Sequence, residues 1–257
     1  MIVKKYFLLD HSQDHRFTPK LNKIVNITKN INDADAILVM GGDGSMVRAI
    51  QDHQSLNKPF IGINAGTRGF LMNNADLAST IYERLDEVEY ETMWMLEGVG
   101  KTLEGSHTVY GFNDIWIFRA SNQTLRMEIS INGTKQSSIL IGDGLLFSTP
   151  QGSTGYNLAL RGKAIPTGVP VLQITPMACV VNKAPLGSVI LSDATVVEVE
   201  FAQLNKRPGA LFYDGFEVTS SPVQRLTIRK SNRSVRLGFI KEYSFHTKVL
   251  AWQFQSL

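Results

Sequence analysis

Two glycine-rich segments hold the residues of this chain best suited to chemistry. The first is Gly41-Gly42-Asp43-Gly44-Ser45. Glycines let a backbone turn sharply and approach a ligand closely. The segment follows a short apolar run and precedes a helical one, so free N–H groups at the positive end of a helix dipole would suit phosphate oxygens. Asp43 adds negative charge to such a cradle. It therefore reads as a metal contact, or as a base for an attacking hydroxyl, rather than as a phosphate ligand. By itself the turn is equally compatible with a plain strand-to-helix connection capped by Asp or Ser. It is neither a P-loop, since no G-x-x-x-x-G-K-[ST] occurs, nor a G-x-G-x-x-G dinucleotide turn.

The second segment runs from Gly142-Asp143-Gly144 to Asn157. A strand, Leu145 to Thr149, is ended by Pro150 and leads into Gly152-Ser153-Thr154-Gly155-Tyr156, with a helix expected from about Thr154. Gly152 and Gly155 remove side chains where a ligand could lie against backbone. Ser153 and Thr154 offer hydroxyls, and Tyr156 offers an aromatic face with a polar tip. Those properties suit an adenine and its ribose.

The elements that must position these segments differ along the chain. Ile2–Leu9, Ala36–Met40 and Phe60–Asn64 read as apolar strands, Val47–Gln51 as a helix. Leu77, Ile81, Leu85 and Val88 fall at helical spacing within 75–88. Strand alternating with helix predicts a parallel α/β sheet. Beyond about residue 98 short runs with strand character recur: 114–120, 125–131, 145–149, 171–175, 195–201 and 225–229. Asn132-Gly133, Asp143-Gly144, Pro208-Gly209 and Asp214-Gly215 supply turn signals, Asn-Gly being a strong hairpin pair. The expected plan is an α/β N-terminal domain (1–97) and a β-rich C-terminal domain (98–240). The aromatic and apolar segment 241–257 should pack back on the first domain as a helix.

Composition narrows the classes. A chain of 257 residues, 43% hydrophobic and 19% charged, can bury a real core and is not disordered. A net charge of +3 without any block of like charges argues against a nucleic-acid arm or a polybasic membrane patch. The N-terminus lacks a signal-peptide pattern, and no apolar run approaches the roughly 18 residues that span a bilayer, so a soluble, cytoplasmic protein is expected. One cysteine, Cys179, reads as a small buried residue. His11, His15, His53, His107 and His246 show no metal-ligand spacing. Trp116 reads as core packing, and Lys163, Lys183, Lys206 and Arg207 as solvated surface. Asp114 alone reads as a turn residue.

Taken in order, Gly41-Gly42-Asp43-Gly44, then Gly62-Ile63-Asn64-x-Gly66-x-x-Gly69-Phe70-Leu71, Asn113-Asp114, Gly142-Asp143-Gly144, Ser148-Thr149-Pro150-x-Gly152-Ser153-Thr154-x-Tyr156 and Asp214-Gly215 resemble the NAD kinases. Only the first motif is shared with lipid kinases of the diacylglycerol and sphingosine type. The resemblance covers about residues 35 to 220. It implies the NAD kinase/diacylglycerol kinase-like two-domain architecture and transfer of the γ-phosphoryl of ATP to the adenosine ribose 2′-hydroxyl of NAD. It also implies a role for each motif. Asp43 would be the general base, with Gly41, Gly42 and Gly44 facing phosphates. Asn113 and Asp114 would bind nucleotide. Thr154, Gly155 and Tyr156, with Asn157 and Ala159, would hold the adenosine. Asp143 and Ala178 would seat the dinucleotide, partly across a subunit contact, and Asp214 belongs to the same set. The resemblance further implies a divalent cation, usually Mg2+, and a homodimer or homotetramer. ATP and inorganic polyphosphate would use similar phosphate contacts.

The chain departs from the family pattern at Ser45, Arg68, Ile141, Leu158 to Arg161, and the stretch after Cys179. A lipid kinase and a non-catalytic dinucleotide sensor are the competing readings. The second motif, with Tyr156, argues against the lipid kinase.

Overall fold

A run such as Ala36 to Met40 has no polar face to turn to water, so it is stable only in a sheet covered on both sides. In the protein, seen as a computed structural model, every residue of that strand is buried. The structure describes residues 4–12, 25–65, 69–73, 81–182, 184–219 and 221–255. The chain divides into two units, Met1–Met93 with Ser234–Leu257, and Trp94–Arg233.

In the first unit β1 (Tyr6–Asp10), β2 (Ala36–Gly41) and β3 (Phe60–Asn64) pair in parallel in that order. Leu237 and Gly238 add a further parallel strand beside β3. Helix α1 (Asp43–His53) makes the crossover from β2 to β3 and buries Met46, Val47, Ala49 and Ile50, the i, i+1, i+3, i+4 face of an amphipathic helix. Asn73 ties this sheet together from within. Its side-chain amide donates to the Gly62 and Gly238 carbonyls at 2.9 and 3.0 Å, and its oxygen accepts from the Ile240 N–H at 2.9 Å. The chain ends in a helix, Phe245–Gln255, that buries Phe245 and Val249.

The second unit is built from strands alone apart from short helical turns. In chain order these are β4 (Val88–Lys101), which begins in the first unit, β5 (Ser106–Gly111), β6 (Asp114–Arg119), β7 (Leu125–Ile131), β8 (Thr134–Lys135), β9 (Leu140–Gly142) and β10 (Gly144–Ser148). There follow β11 (Val171–Met177), β12 (Val180–Val181), β13 (Ala184–Pro185), β14 (Val189–Ser192), β15 (Val197–Phe201), β16 (Gly209–Tyr213), β17 (Phe216–Thr219) and β18 (Arg225–Ile240). One antiparallel sheet has the order β14-β11-β10-β6-β16-β17; the other includes β18-β15-β7-β9. Period-2 alternation sends Ile115, Ile117, Leu145 and Phe147 of the first sheet, and Leu125, Met127, Val197 and Val199 of the second, into one shared core.

Two hairpins form where their turn residues predict. Asn132-Gly133 and Asp214-Gly215 each sit at positive φ between directly paired residues, Ile131 with Thr134 and Tyr213 with Phe216. Asp143-Gly144 does not make a turn of this kind. Gly144 already opens β10, and Asp143 is the single residue at which the chain passes from one sheet to the other.

Other expectations change. Of the helix expected over 75–88, residues 75–80 lie outside the described residues; Ile81–Glu87 is a 3₁₀ helix and Val88 opens β4. The strand expected over 225–229 continues to Ile240, its middle hidden in the sequence by Lys230 to Ser234. The unit borders near 93 and 233 fall inside continuous strands, where no turn residue marks them. Gly66, Arg68, His15 and Lys183 lie outside the described residues. Among the described residues no helix is long and apolar enough to cross a membrane.

Candidate active site

The glycine turn closes β2 and opens α1. Gly41 has φ +152°, and a Cβ there would meet the Ser45 hydroxyl at 2.4 Å, so the fold itself demands glycine. Gly42 and Gly44 differ. A Cβ on either would meet no described atom within 4 Å, so packing within the unit does not explain them. Gly42 is the N-cap of α1 without a side-chain cap, which leaves the first N–H groups of the helix to another acceptor. This is the geometry that suits a phosphate.

Asp43 occupies the first turn of α1, where the helix dipole favours a negative charge. Its two carboxylate oxygens each accept one backbone N–H, from Phe70 at 2.8 Å and from Leu71 at 3.0 Å. Each oxygen keeps a second lone pair. Gly69 permits the approach, since a Cβ there would lie 2.6 Å from Oδ1. Burial pushes the carboxyl pKa up, against the lowering effect of the two N–H bonds and of the Lys248 ammonium. The result is a fixed carboxylate with more proton affinity than an exposed aspartate, which is what a general base requires.

The second cluster belongs to the sandwich. Thr149 anchors it: its hydroxyl donates to the Phe112 and Asn113 carbonyls at 2.8 and 3.0 Å and accepts from the Gly152 N–H at 3.1 Å. Gln151 adds bonds to the Trp94 and Phe112 carbonyls, both at 2.8 Å. Residues Gln151–Thr154 then form a 3₁₀ turn and Tyr156–Ala159 a short helix. Thr154 is half-buried, while Gly155, Tyr156 and Ala159 are exposed. Asn113 stands beside this loop with its Oδ1 buried and lacking any hydrogen-bond partner among the described residues. A buried acceptor left unpaired carries a free-energy penalty that a donor on a ligand would relieve.

Three expected roles change in this cluster. Ser153 does not offer its hydroxyl to a ligand; it is fully buried, bonded to the Pro150 and Ile165 carbonyls and to the Ile165 N–H. Asn157, expected among the adenosine contacts, is likewise fully buried. Its amide donates to the Ser153 and Lys163 carbonyls and its oxygen accepts from the Thr175 hydroxyl, because the helical turn that exposes Tyr156 must point the next residue inward. Asp214 accepts backbone N–H groups from Phe112, Asn113 and Asp114 at 2.6, 2.8 and 3.1 Å. Its carboxylate thus holds the Asn113-Asp114 turn in place. Asp114 is buried beside it, and burial first, then the Asp214 charge, pushes its carboxyl well above the usual range.

Trp116 is not a core residue either. Alternation along β6 buries Ile115 and Ile117 and leaves Trp116 half-buried on the opposite face. There it stacks on Phe212 (centroids 5.3 Å, 9°) and meets the Tyr156 ring edge-on (5.5 Å, 74°). The exposed tyrosine is thereby backed by Trp116, which is itself stacked on Phe212. Asp143 donates its N–H to the Met177 carbonyl at 2.9 Å, which brings it near Ala178, itself exposed and at φ +50°. The Asp143 carboxylate pairs with Arg119 at 2.8 Å. Cys179 is buried, its thiol directed at the Gly144 carbonyl and pushed by burial to about 11, an unreactive state.

Sequence reasoning assigned no role to the Phe70 and Leu71 N–H groups, to Phe212 or to Lys248. The one available signal was a lysine set among Phe245, Val249 and Trp252 in an otherwise apolar segment. Among the described residues no cluster of three or more His, Cys, Asp or Glu could hold a metal.

An acid fixed at a glycine turn in an α/β unit, followed along the chain by a β-sandwich whose glycine-rich loop exposes a tyrosine, is the plan of a two-domain kinase. Comparison with known proteins gives its family. Residues 9–93 match the ATP-NAD kinase N-terminal domain and residues 112–239 the ATP-NAD kinase C-terminal domain. The chain belongs to the NAD kinase family. The NAD kinase of Rickettsia bellii (strain OSU 85-389) is 33% identical over 227 residues, 88% of each chain. That of Rickettsia rickettsii (strain Sheila Smith) is 31% identical over 255 residues, 98% of each. Two solved structures share the fold. Yeast NADH kinase complexed with NADH has a TM-score of 0.79 at 16% identity, covering 98% of this chain and 88% of that one. An NAD kinase from Archaeoglobus fulgidus in complex with ATP has a TM-score of 0.76 at 18% identity, covering 98% and 99%.

Proposed function

We propose that this kinase moves the γ-phosphoryl of ATP onto the adenosine ribose 2′-hydroxyl of NAD to give NADP, with Asp43 as the general base. The observation that carries the reading is the Asp43 carboxylate: pinned by two backbone N–H groups, raised in proton affinity by burial, and set at an uncapped helix start. The 2′-hydroxyl proton passes to Asp43 as the hydroxyl oxygen attacks the γ-phosphorus and the bond to the β,γ-bridging oxygen breaks, releasing ADP. Gly41, Gly42 and Gly44 present backbone to the phosphates. Asn113 and Asp114, with Thr154, Gly155, Tyr156 and Ala159, receive the adenosine, and Asp143 and Ala178 seat the remainder of the dinucleotide. ATP is favoured over polyphosphate as donor because the related archaeal kinase binds ATP.

NAD kinases use a divalent cation, here proposed as Mg2+. The donor set suits an ion that arrives with the nucleotide. Mg2+ is commonly held by substrate phosphates and water with few protein ligands rather than by an all-protein cage. The described residues offer no cluster of three or more His, Cys, Asp or Glu, so the ion would be held chiefly by the ATP phosphates at the Gly41–Gly44 turn. Such an ion would neutralise phosphate charge. Edge strand β14 exposes Val189 and Ile190, 37% and 48% accessible, a surface fitted to association; it supports a homodimer or homotetramer.

The direct test supplies purified protein with NAD, ATP and Mg2+ and reads NADP through a coupled dehydrogenase. Absence of NADP from folded protein that binds NAD would leave a sensor. A second test addresses the adenosine. Tyr156→Ala should weaken NAD binding about five- to tenfold, since an aromatic stacking partner is worth ~1 kcal/mol. Unchanged affinity by calorimetry in a folded variant would remove Tyr156 from the site.

A further inference from the structure

Lys248 stands on the C-terminal helix among apolar neighbours, an unfavourable place for a charge. Its ammonium donates to the Phe70 carbonyl at 2.7 Å and the Met72 carbonyl at 2.6 Å, and lies over the Phe239 ring at 4.7 Å. The first contact matters most. The Phe70 carbonyl and the Leu71 N–H are the two ends of one peptide group, and the Leu71 N–H is bonded to Asp43 Oδ1 at 3.0 Å. The ammonium and the carboxylate therefore grip the same conjugated amide from opposite ends. A cation on the oxygen draws density from the nitrogen, so the N–H becomes a stronger donor to the anion beyond it. The Phe70 N–H, at 2.8 Å from Oδ2, belongs to the preceding peptide of the same loop.

We propose that Lys248 is a positioning residue for Asp43: through the Phe70–Leu71 peptide its ammonium sets the orientation of the catalytic carboxylate and the strength of the hydrogen bond that holds it. The inference deepens the reading of Asp43 as the base and rests on it. A side chain needed only to dock the helix could be an apolar one matching Phe245 and Val249, which are buried on the same helix. Lys248 instead directs its charge at the loop that holds the carboxylate. Burial pushes the lysine down to about 8, while Asp43 and Glu91 of β4 act in the opposite direction. Lys248 in turn lowers the Asp43 carboxyl. Among the described residues these are the charged groups that bear on the pair.

The test uses the full chain with Lys248→Met, which keeps the length and removes charge and donor. Turnover at saturating NAD and ATP should fall on the order of ten- to a hundredfold, the range expected for a misplaced catalytic group. KM values should stay within about threefold, because the lysine touches no substrate-binding residue proposed above. The acid limb of the kcat profile should move to higher pH, since the cation favouring ionised Asp43 is gone. Lys248→Arg, which retains the charge, should keep the limb near its original place. Wild-type turnover and an unmoved limb in folded Lys248→Met would overturn the proposal, as would an equal shift in Lys248→Arg. If Lys248→Met does not fold, Lys248→Gln is read on the same limb: a shift upward supports the role, and no shift refutes it. Asp43→Asn is measured alongside. Normal turnover there removes the base assignment itself, whereas impaired Asp43→Asn with normal Lys248 variants removes only the lysine.

Discussion

Asp43→Asn lowers kcat by ~10²–10⁴-fold, the usual worth of general-base assistance, and leaves NAD binding largely intact. The substitution preserves shape but not acceptor capacity. Both carboxylate oxygens face backbone N–H donors, Phe70 and Leu71, so an amide must turn its own NH2 toward one of them. That leaves a hydrogen bond unmade, at about 1–3 kcal/mol, and loosens the loop that held the base. Stopped-flow or steady-state turnover at saturating substrates measures the chemical loss, and calorimetry measures the binding that should persist. The pH profile supplies an independent check. Burial raises the Asp43 carboxyl above its ordinary value, and the base acts ionised. Turnover of the wild type must therefore fall as pH drops through that raised value, and Asp43→Asn must lack this limb. Near-normal turnover in the variant would end the assignment.

Gly152→Ala should be nearly as damaging, for a steric reason. An added Cβ would lie 2.0 Å from the Asn113 carbonyl oxygen and 2.4 Å from its carbon. Both are backbone atoms, and that oxygen is already held by the Thr149 N–H and hydroxyl. Neither segment can move without breaking the other bonds of the cluster. Overpacking of this kind destabilises by about 1–3 kcal/mol or more. Displacement of Asn113 and Thr154 by even ~1 Å would lower kcat/KM about a hundredfold. Gly155→Ala is the stability control, because its nearest contact would be an ordinary 3.4 Å to the Gly152 oxygen. Thermal denaturation and kinetics on the two variants decide the matter. A Gly152→Ala protein with wild-type stability and activity would show that the loop has a different geometry.

Much of the architecture is local and so was readable along the chain. The buried strands at 36–41 and 60–64 are continuous apolar runs, and the hairpins at Asn132-Gly133 and Asp214-Gly215 need only two residues that tolerate positive φ. The glycine turn before α1 was legible for the same reason: Gly41 answers to its own dihedral angle and to Ser45, four residues away. The long β18 was half hidden, because its polar centre carries no alternation to read.

By itself the sequence determined the residue types available for chemistry and their order: an acid between glycines, a glycine-serine-threonine loop, a tyrosine after it. Only the tertiary structure decided which of them face outward. Asn157 and Ser153 turn inward while Tyr156 and Gly155 turn out, and Trp116 leaves the core to back the tyrosine. The structure alone also decided what holds the acid, since the partners of Asp43 stand 27 and 28 positions away and the lysine behind them a further 178 from Phe70. Backbone dihedrals and side-chain periodicity act between near neighbours and are written in short spacings. Hydrogen bonds between distant segments depend on how the sheets bring those segments together, and no spacing records that.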